Sequence, residues 1–259
     1  MSEYHVDDSM QTNELPGQQN SLFDRCQWLY AFCREHLFRN HTNEIVRHMF
    51  PSGGPLQDTF VLELGCGPGF YARRLAKMYG QIRTIGIDSS ARLIARARML
   101  ASSENLQNCS FDKGDAQGLS MSCDQVDVVI VSRLFLIVPD REAVLAEVFR
   151  ILKPGGSCFL AEPTTRLKSR MPLAVMHAVL WMMDRHEQHR RYPVQLTILS
   201  GPAFRELVHS QPWAAVQIRS ASGYQYAVCE KINPVIEPDC RVSNDKSASR
   251  KGWRPGVLN

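Results

Sequence analysis

Thr59-Phe60-Val61-Leu62-Glu63-Leu64-Gly65-Cys66-Gly67-Pro68-Gly69 decides the fold. A short apolar run with one acid near its end passes into three glycines spaced by single residues. Phe70, Leu75, Ala76 and Met78 then recur at helical intervals as far as Gly80. Strand, glycine turn and helix in that order are half of a strand–helix–strand unit. Ile82 to Ile87 supplies the next buried strand, which ends in Asp88, and Ser89 or Ser90 caps a helix running to about Leu100. The rhythm continues through a weak strand near Cys109 to Asp112 and a third clear strand from Val126 to Val131. Asp140 to Leu152 is helical, stopped by Lys153-Pro154-Gly155-Gly156, and Ser157 to Ala161 is a further strand. Parallel neighbours need crossover connections, so this alternation implies a doubly wound α/β fold: a mostly parallel sheet with helices on both faces.

The flanks differ from this core. Residues 1–20 are polar and acidic and are expected to be disordered. Leu22, Cys26, Leu29, Tyr30, Cys33 and Leu37 then step at helical spacing, and a second helix runs from about Thr42 to Phe50. Residues 163–200 interrupt the alternation with three prolines, the apolar segment Met171 to Met183 and the charged run from Asp184 to Arg191. A helix from Gly201 to His209 follows, and Val216 to Arg219 with Tyr224 to Cys229 reads as a closing antiparallel pair around Ser222-Gly223. The expected organisation is a single domain over residues 21–230. Its ligand-binding core is 58–162, its substrate-side insertion is 163–200, and 231–259 form a mobile tail. No internal repeat is visible.

Composition narrows the function. Lys plus Arg number 30 against 26 Asp plus Glu, a formal charge of +4. Glu3, Asp7, Asp8 and Glu14 place four negative charges in residues 1–20 with no base to offset them, so the rest of the chain is mildly basic. That balance suits anionic ligands and falls short of a nucleic-acid footprint. The longest apolar stretch free of charge runs only from Met171 to Met183, too short to span a bilayer. With a polar, acidic start and no signal-peptide pattern, a cytoplasmic location is expected. The eight cysteines form no Cys-x-x-Cys pair, so scattered reduced thiols are expected, and no metal site.

The glycine loop carries the chemistry. Glycines there turn the backbone tightly and let a ligand approach main-chain atoms, and the helix behind them presents N–H groups. Asp88, at the carboxyl end of the next strand, is placed to accept hydrogen bonds from both hydroxyls of a ribose. The spacing is Gly-x-Gly-x-Gly, one residue shorter than the dinucleotide fingerprint, and the Gly-Lys-Ser/Thr of a Walker loop is absent. Glu63 places negative charge where a pyrophosphate would sit, and suits a ligand with a cationic amino-acid head.

The set of motifs resembles the class I S-adenosylmethionine-dependent methyltransferases, in particular the ubiquinone/menaquinone-type small-molecule subgroup. Val61 to Gly69 is similar to that family's first motif, Gly86-Ile87-Asp88-Ser89-Ser90 to its ribose-binding acid, and Gly114-Asp115-Ala116 to its adenine-contacting loop. Val131-Ser132-Arg133-Leu134 resembles the strand-four exit beside the methionine moiety. Val138-Pro139-Asp140 to Leu152-Lys153-Pro154-Gly155-Gly156 resembles its helix and turn. The likeness covers residues 58–162 in order and spacing. It implies a Rossmann-like seven-stranded sheet, S-adenosyl-L-methionine as cofactor, and cofactor contacts at Glu63, Gly65, Cys66, Gly67, Gly69, Asp88, Ser89, Asp115, Ala116 and Ser132. Cys66 is read as a small filler between glycines.

A sulfonium methyl is already activated, so such an enzyme needs chiefly to align a nucleophile and exclude water. The Asp/Asn-Pro-Pro-Tyr/Phe tetrapeptide of nucleobase amino methylation is missing, as is a Pro-Cys nucleophile; Ser132-Arg133-Leu134-Phe135 stands instead. The acceptor is therefore expected to be a small molecule, with a nucleic-acid partner disfavoured. Its pocket is assigned to the N-terminal helices and the insertion. His177 is the candidate base, with a core histidine as the alternative. Arg133, Trp181, Arg190 and Arg191 are candidate substrate contacts, Arg190 or Arg191 for a carboxylate or phosphate, with a solvated helix end formed with His186 and His189 as the alternative for those two. Met171 to Met183 reads as a lid helix over an apolar substrate or as a helix packed on the sheet, and Tyr30 and Trp28 as covers for the cofactor or as apolar-face residues. Two other functions remain alongside: an RNA or protein methyltransferase using the basic tail (Lys246, Arg250, Lys251, Arg254), and a cofactor-binding module without turnover. Nothing in the sequence sets the oligomeric state.

Overall fold

The computed structural model describes residues 27–164 and 197–233. Two helices, α1 (Gln27–His36) and α2 (Thr42–Met49), precede β1 (Phe60–Leu64), α3 (Phe70–Met78), β2 (Arg83–Asp88), α4 (Ala91–Ser103), β3 (Cys109–Lys113) and β4 (Val126–Ser132). A single 3₁₀ turn (Leu134–Leu136) leads to α5 (Arg141–Ile151) and β5 (Leu152–Pro163). Then come α6 (Gly201–Val208), β6 (Trp213–Ala221) and β7 (Tyr224–Lys231).

The strands form one seven-stranded sheet in the order β3-β2-β1-β4-β5-β7-β6. β1 pairs in parallel with β2 on one side and β4 on the other, so the chain direction of winding reverses beside β1. That reversal opens a crevice at the carboxyl ends of the strands, where open α/β sheets hold ligands. β7 lies antiparallel between β5 and β6. Ser222 and Gly223, both with positive φ, make the two-residue turn that this hairpin demands.

The local signals explain the boundaries. Ser90 accepts from Leu93 N at 3.2 Å and Asp140 from Ala143 N at 2.9 Å, capping α4 and α5. Ser200 does the same for Ala203 N at 3.3 Å at the start of α6. One expectation is corrected: Lys153-Pro154-Gly155-Gly156 does not stand outside the sheet as a helix stop. It is the entry of β5, whose pairing with β4 shifts between Val126 and Val128, and Gly155 at φ +75 makes that irregularity. β5 also continues past Ala161 to include Glu162 and Pro163.

Alternation along the strands divides the core. Leu62, Leu64, Val129, Val131, Leu160 and Cys229 pack against α5 and α6 through Val144, Val148, Phe204 and Val208. Val61, Val128, Ile130, Phe159, Tyr224 and Tyr226 face α2 and α3 through Ile45, Met49, Phe70, Tyr71 and Leu75. Glu63 and Ser132, at odd and even ends of their own strands, fall on this second face, beneath the N-terminal helices.

Candidate functional site

The glycine loop hangs on the end of β2. Gly65 N and Cys66 N both donate to Ile87 O, at 2.8 and 3.0 Å. Gly67 N donates to Asp88 Oδ2 at 2.8 Å, and Ser90 N to Asp88 Oδ1 at 2.9 Å. Gly114 N, at the exit of β3, donates to the Asp88 carbonyl at 3.1 Å. One aspartate therefore joins three loops that leave neighbouring parallel strands, and it is half-buried at the crevice.

Two glycines resist a side chain for different reasons. Gly67 has φ +53, and a Cβ there would stand 3.0 Å from the ring of Tyr30, so α1 lays an aromatic ring across the loop. Gly69 has φ +73 and is the N-cap of α3; a Cβ would meet Phe111 Cε1 at 2.2 Å. Tyr30 is half-buried against Gly67 of the loop, whereas Trp28 points outward and is half exposed.

Glu63 is buried, and its Oε2 accepts from Ala72 N at 2.8 Å in the first turn of α3. Burial pushes its carboxyl up to about 7, against the pull of that N–H and of Arg34. Cys66 is buried with its thiol pushed far up by desolvation and then by Glu63 and Asp88, which fits a filler and not a nucleophile. Asp115 is exposed and its Oδ1 accepts from Gln117 N at 3.0 Å, so the side chain shapes its own turn while Ala116 is buried beside it. Ser89 is exposed and Ser132 half-buried. His177, Trp181, Arg190, Arg191 and Met171 to Met183 lie outside the described residues, as do residues 1–20 and the basic tail.

Arg133 leaves β4 at φ +64, donates its backbone N–H to Ala161 O at 2.9 Å, and places its guanidinium 4.2 Å over Phe38. Its Nη1 donates to Tyr224 Oη at 3.0 Å. Three groups escape sequence reasoning. Arg34 is 5% exposed, its guanidinium 3.9 Å over Phe70 and 4.6 Å over Tyr71, with Nη1 and Nη2 unpartnered among the described residues. The signal for it is a charge four residues after Tyr30, inside the apolar stripe of α1. Glu162, 2% exposed at the end of β5, accepts from Phe135 N at 3.0 Å and is pushed by burial up to about 8. Its signal is the one that marks Asp88, an acid closing an apolar strand. His41 precedes α2 without any pattern to single it out.

α1 is fastened to this site by charge. Arg73 of α3, itself buried, pairs with Glu35 of α1 and with Glu104 at the end of α4, and its Nε donates to Pro68 O at 3.3 Å in the glycine loop. Shallow grooves along α6, lined by Gly201, Arg205 and His209 or by Pro139, Asp140 and Ala203, contain none of these residues. Among the described residues no cluster of side chains suits a metal ion, and no helix is long and apolar enough to cross a membrane.

A family model for a methyltransferase domain matches residues 56–195. The chain belongs to this methyltransferase-domain family. Among curated relatives, an uncharacterized 37.1 kDa protein in transposon TN4556 of Streptomyces fradiae is 38% identical over 103 residues, 39% of this chain and 29% of that protein. The demethylmenaquinone methyltransferase of Lactococcus lactis subsp. lactis is 30% identical over 144 residues, 55% of this chain and 54% of that one. The trans-aconitate 2-methyltransferase of Deinococcus radiodurans is 35% identical over 96 residues, covering 37% and 34%. The matches thus span between about a third and a half of those relatives' lengths. A structure assigned to the S-adenosyl-L-methionine-dependent methyltransferases of Methanococcus maripaludis superposes with a TM-score of 0.61 at 14% identity, covering 86% of this chain and 100% of that one. The [4+2]-cyclase SpnF gives 0.62 at 16%, covering 82% and 94%. At such identities the likeness is one of fold, and the family's fold serves more than one chemistry.

Proposed function

We propose that this chain is an S-adenosylmethionine-dependent methyltransferase that transfers a methyl group to oxygen, nitrogen or carbon of a small-molecule acceptor. The observation that carries the reading is the placement of Asp88. Its carboxylate holds the glycine loop and the entry to α4 at the winding reversal, and a carboxylate oxygen accepts more than one hydrogen bond, so ribose hydroxyls join the same two oxygens. The methyltransferase names of the curated relatives support the same class.

The residues present fit the cofactor. Its amino-acid end is a zwitterion, and beside the glycine loop stand a buried carboxyl, Glu63, and a buried guanidinium, Arg34, whose two Nη groups lack partners among the described residues. Tyr30 covers the loop from α1, and Ala116 offers an apolar contact beside the adenine loop. When bound, the cofactor supplies an activated methyl on a sulfonium. The chain's own residues bind and orient it: Asp88 at the sugar, the 65–69 backbone along the length, Glu63 and Arg34 at the amino-acid end. Tyr30 and α1, fastened through Arg73, exclude water from above. Alignment and desolvation at the strand-four exit, beside Ser132 and Arg133, then do most of the work.

Calorimetry with S-adenosylhomocysteine tests the binding half, and labelled S-adenosylmethionine with a metabolite extract tests transfer, read by mass spectrometry as one methyl gained for one hydrogen. Micromolar binding with a labelled small molecule is expected. Absence of binding overturns the assignment. Binding with label only on RNA or protein replaces the acceptor class, and binding without any transfer favours the cofactor-binding module.

A further inference from the structure

Beside the strand-four exit lies a polar cluster that nothing in the cofactor site consumes. His41 is 1% exposed, yet neither Nδ1 nor Nε2 has a hydrogen-bond partner among the described residues, and the buried Tyr226 Oη is in the same condition. The two rings meet edge to face with centroids 5.1 Å apart, and Tyr224, two residues earlier on the same strand, stands 4.8 Å from His41. Tyr71 and Phe159 complete the wall at 6.5 and 6.4 Å. Buried polar atoms are almost always paired, because each unpaired one costs most of its lost hydration. Two adjacent side chains that leave three such atoms unpaired among the described residues describe a site built for something that brings partners of its own.

We propose that His41 and Tyr226, together with Arg133, form the acceptor's anion subsite, receiving a carboxylate carried on a flat apolar body. This rests on the methyltransferase reading for the word acceptor, but the subsite itself is defined without it. The donors are the imidazole N–H and the phenol O–H; a carboxylate presents two oxygens to accept from both. The charge is right as well. From α1, Arg34 faces His41; from the segment before α2, Arg39; from the strand-four exit, Arg133. Glu44 of α2 opposes them, and it is paired with Arg39 at 3.0 Å. The remaining neighbours are the phenols of Tyr71 on α3 and of Tyr224 and Tyr226 on β7. Arg133 is held toward this group by its bond to Tyr224. The walls are aromatic rings, which stack on a planar body.

Burial and these arginines hold the imidazole down to about 3, so His41 is neutral at physiological pH and serves as a hydrogen-bonding group rather than as a proton acceptor. A carboxylate in contact with it offsets the arginines and raises that value.

Benzoate is the probe, with benzamide as its uncharged isostere. Imidazole ¹⁵N NMR of the full chain, without cofactor, follows His41 during titration. Saturable shifts of the His41 nitrogens with benzoate at neutral pH are expected, with at least tenfold weaker response to benzamide. Tyr226→Phe removes only a hydroxyl without a partner among the described residues, so its melting temperature is expected to hold or rise while benzoate affinity falls about tenfold; a purely structural tyrosine would do the opposite. Equal response to benzamide, no shift of His41 at tens of millimolar benzoate, or undiminished benzoate affinity in Tyr226→Phe overturns the proposal. S-Adenosylhomocysteine binding, measured in the same sample, separates this failure from a failure of the methyltransferase reading.

Discussion

Asp88→Ala separates two roles that one carboxylate performs. In the protein without cofactor, Asp88 accepts from Gly67 N at 2.8 Å and Ser90 N at 2.9 Å, both charge-assisted bonds of good length. Each such bond contributes about 1.5–3 kcal/mol, and the buried Gly67 N–H is left without its acceptor. Coupled bonds do not add fully, so a loss of about 2–4 kcal/mol in unfolding free energy is expected from the two together. The ribose contacts are a separate quantity, and their loss is expected to weaken S-adenosylhomocysteine binding by about 1.5–3 kcal/mol, roughly tenfold to a hundredfold or more in Kd. Urea melts of the unliganded protein read the first and calorimetry on the folded variant the second. Asp88→Asn, which keeps one acceptor oxygen, is expected to fall between the parent and Asp88→Ala in both. If Asp88→Ala unfolds within about 0.5 kcal/mol of the parent, the carboxylate does not hold the loop. If the folded variant binds as tightly as the parent, Asp88 does not touch the ligand.

Two further outcomes follow from the geometry. Gly69→Ala forces a side chain into a left-handed backbone and drives its Cβ to 2.2 Å from Phe111, so a loss of about 2–5 kcal/mol is expected, visible as a large drop in melting temperature; a change under about 1 kcal/mol would show that the loop relaxes freely. Glu162 is raised by burial to about 8, so its contribution to stability is full below the ordinary carboxyl pKa and is lost as pH rises through about 8. Unfolding free energy is expected to fall over that window by up to about 4 kcal/mol more in the parent than in Glu162→Gln, and parallel pH profiles of the two would remove Glu162 as the source.

The strand–helix alternation, the glycine loop and the acid after β2 were legible in the chain, because each depends on neighbours within a few residues. Hydrophobic period distinguishes strand from helix, glycine permits left-handed φ, and a serine or aspartate caps the helix that follows it. The parallel sheet follows from connection lengths alone. Glu162 carries the same signal as Asp88, an acid closing an apolar strand, but it lies one residue past Ala161, where the apolar run of β5 ends. The sheet takes Lys153-Pro154-Gly155-Gly156 in as the irregular entry of β5 and extends the strand to the acid.

Contacts between distant segments are another matter. The insertion of β7 between β5 and β6 sets Tyr224 and Tyr226 opposite His41, far away in sequence, and no local pattern encodes that pairing. Arg34 above Phe70, Tyr30 across Gly67 and Arg73 between Glu35 and Glu104 likewise exist only once α1 is laid on α3. Burial and electrostatic fields are sums over everything nearby in space. A histidine or arginine therefore acquires its chemistry from packing, while a glycine or a helix cap carries its own.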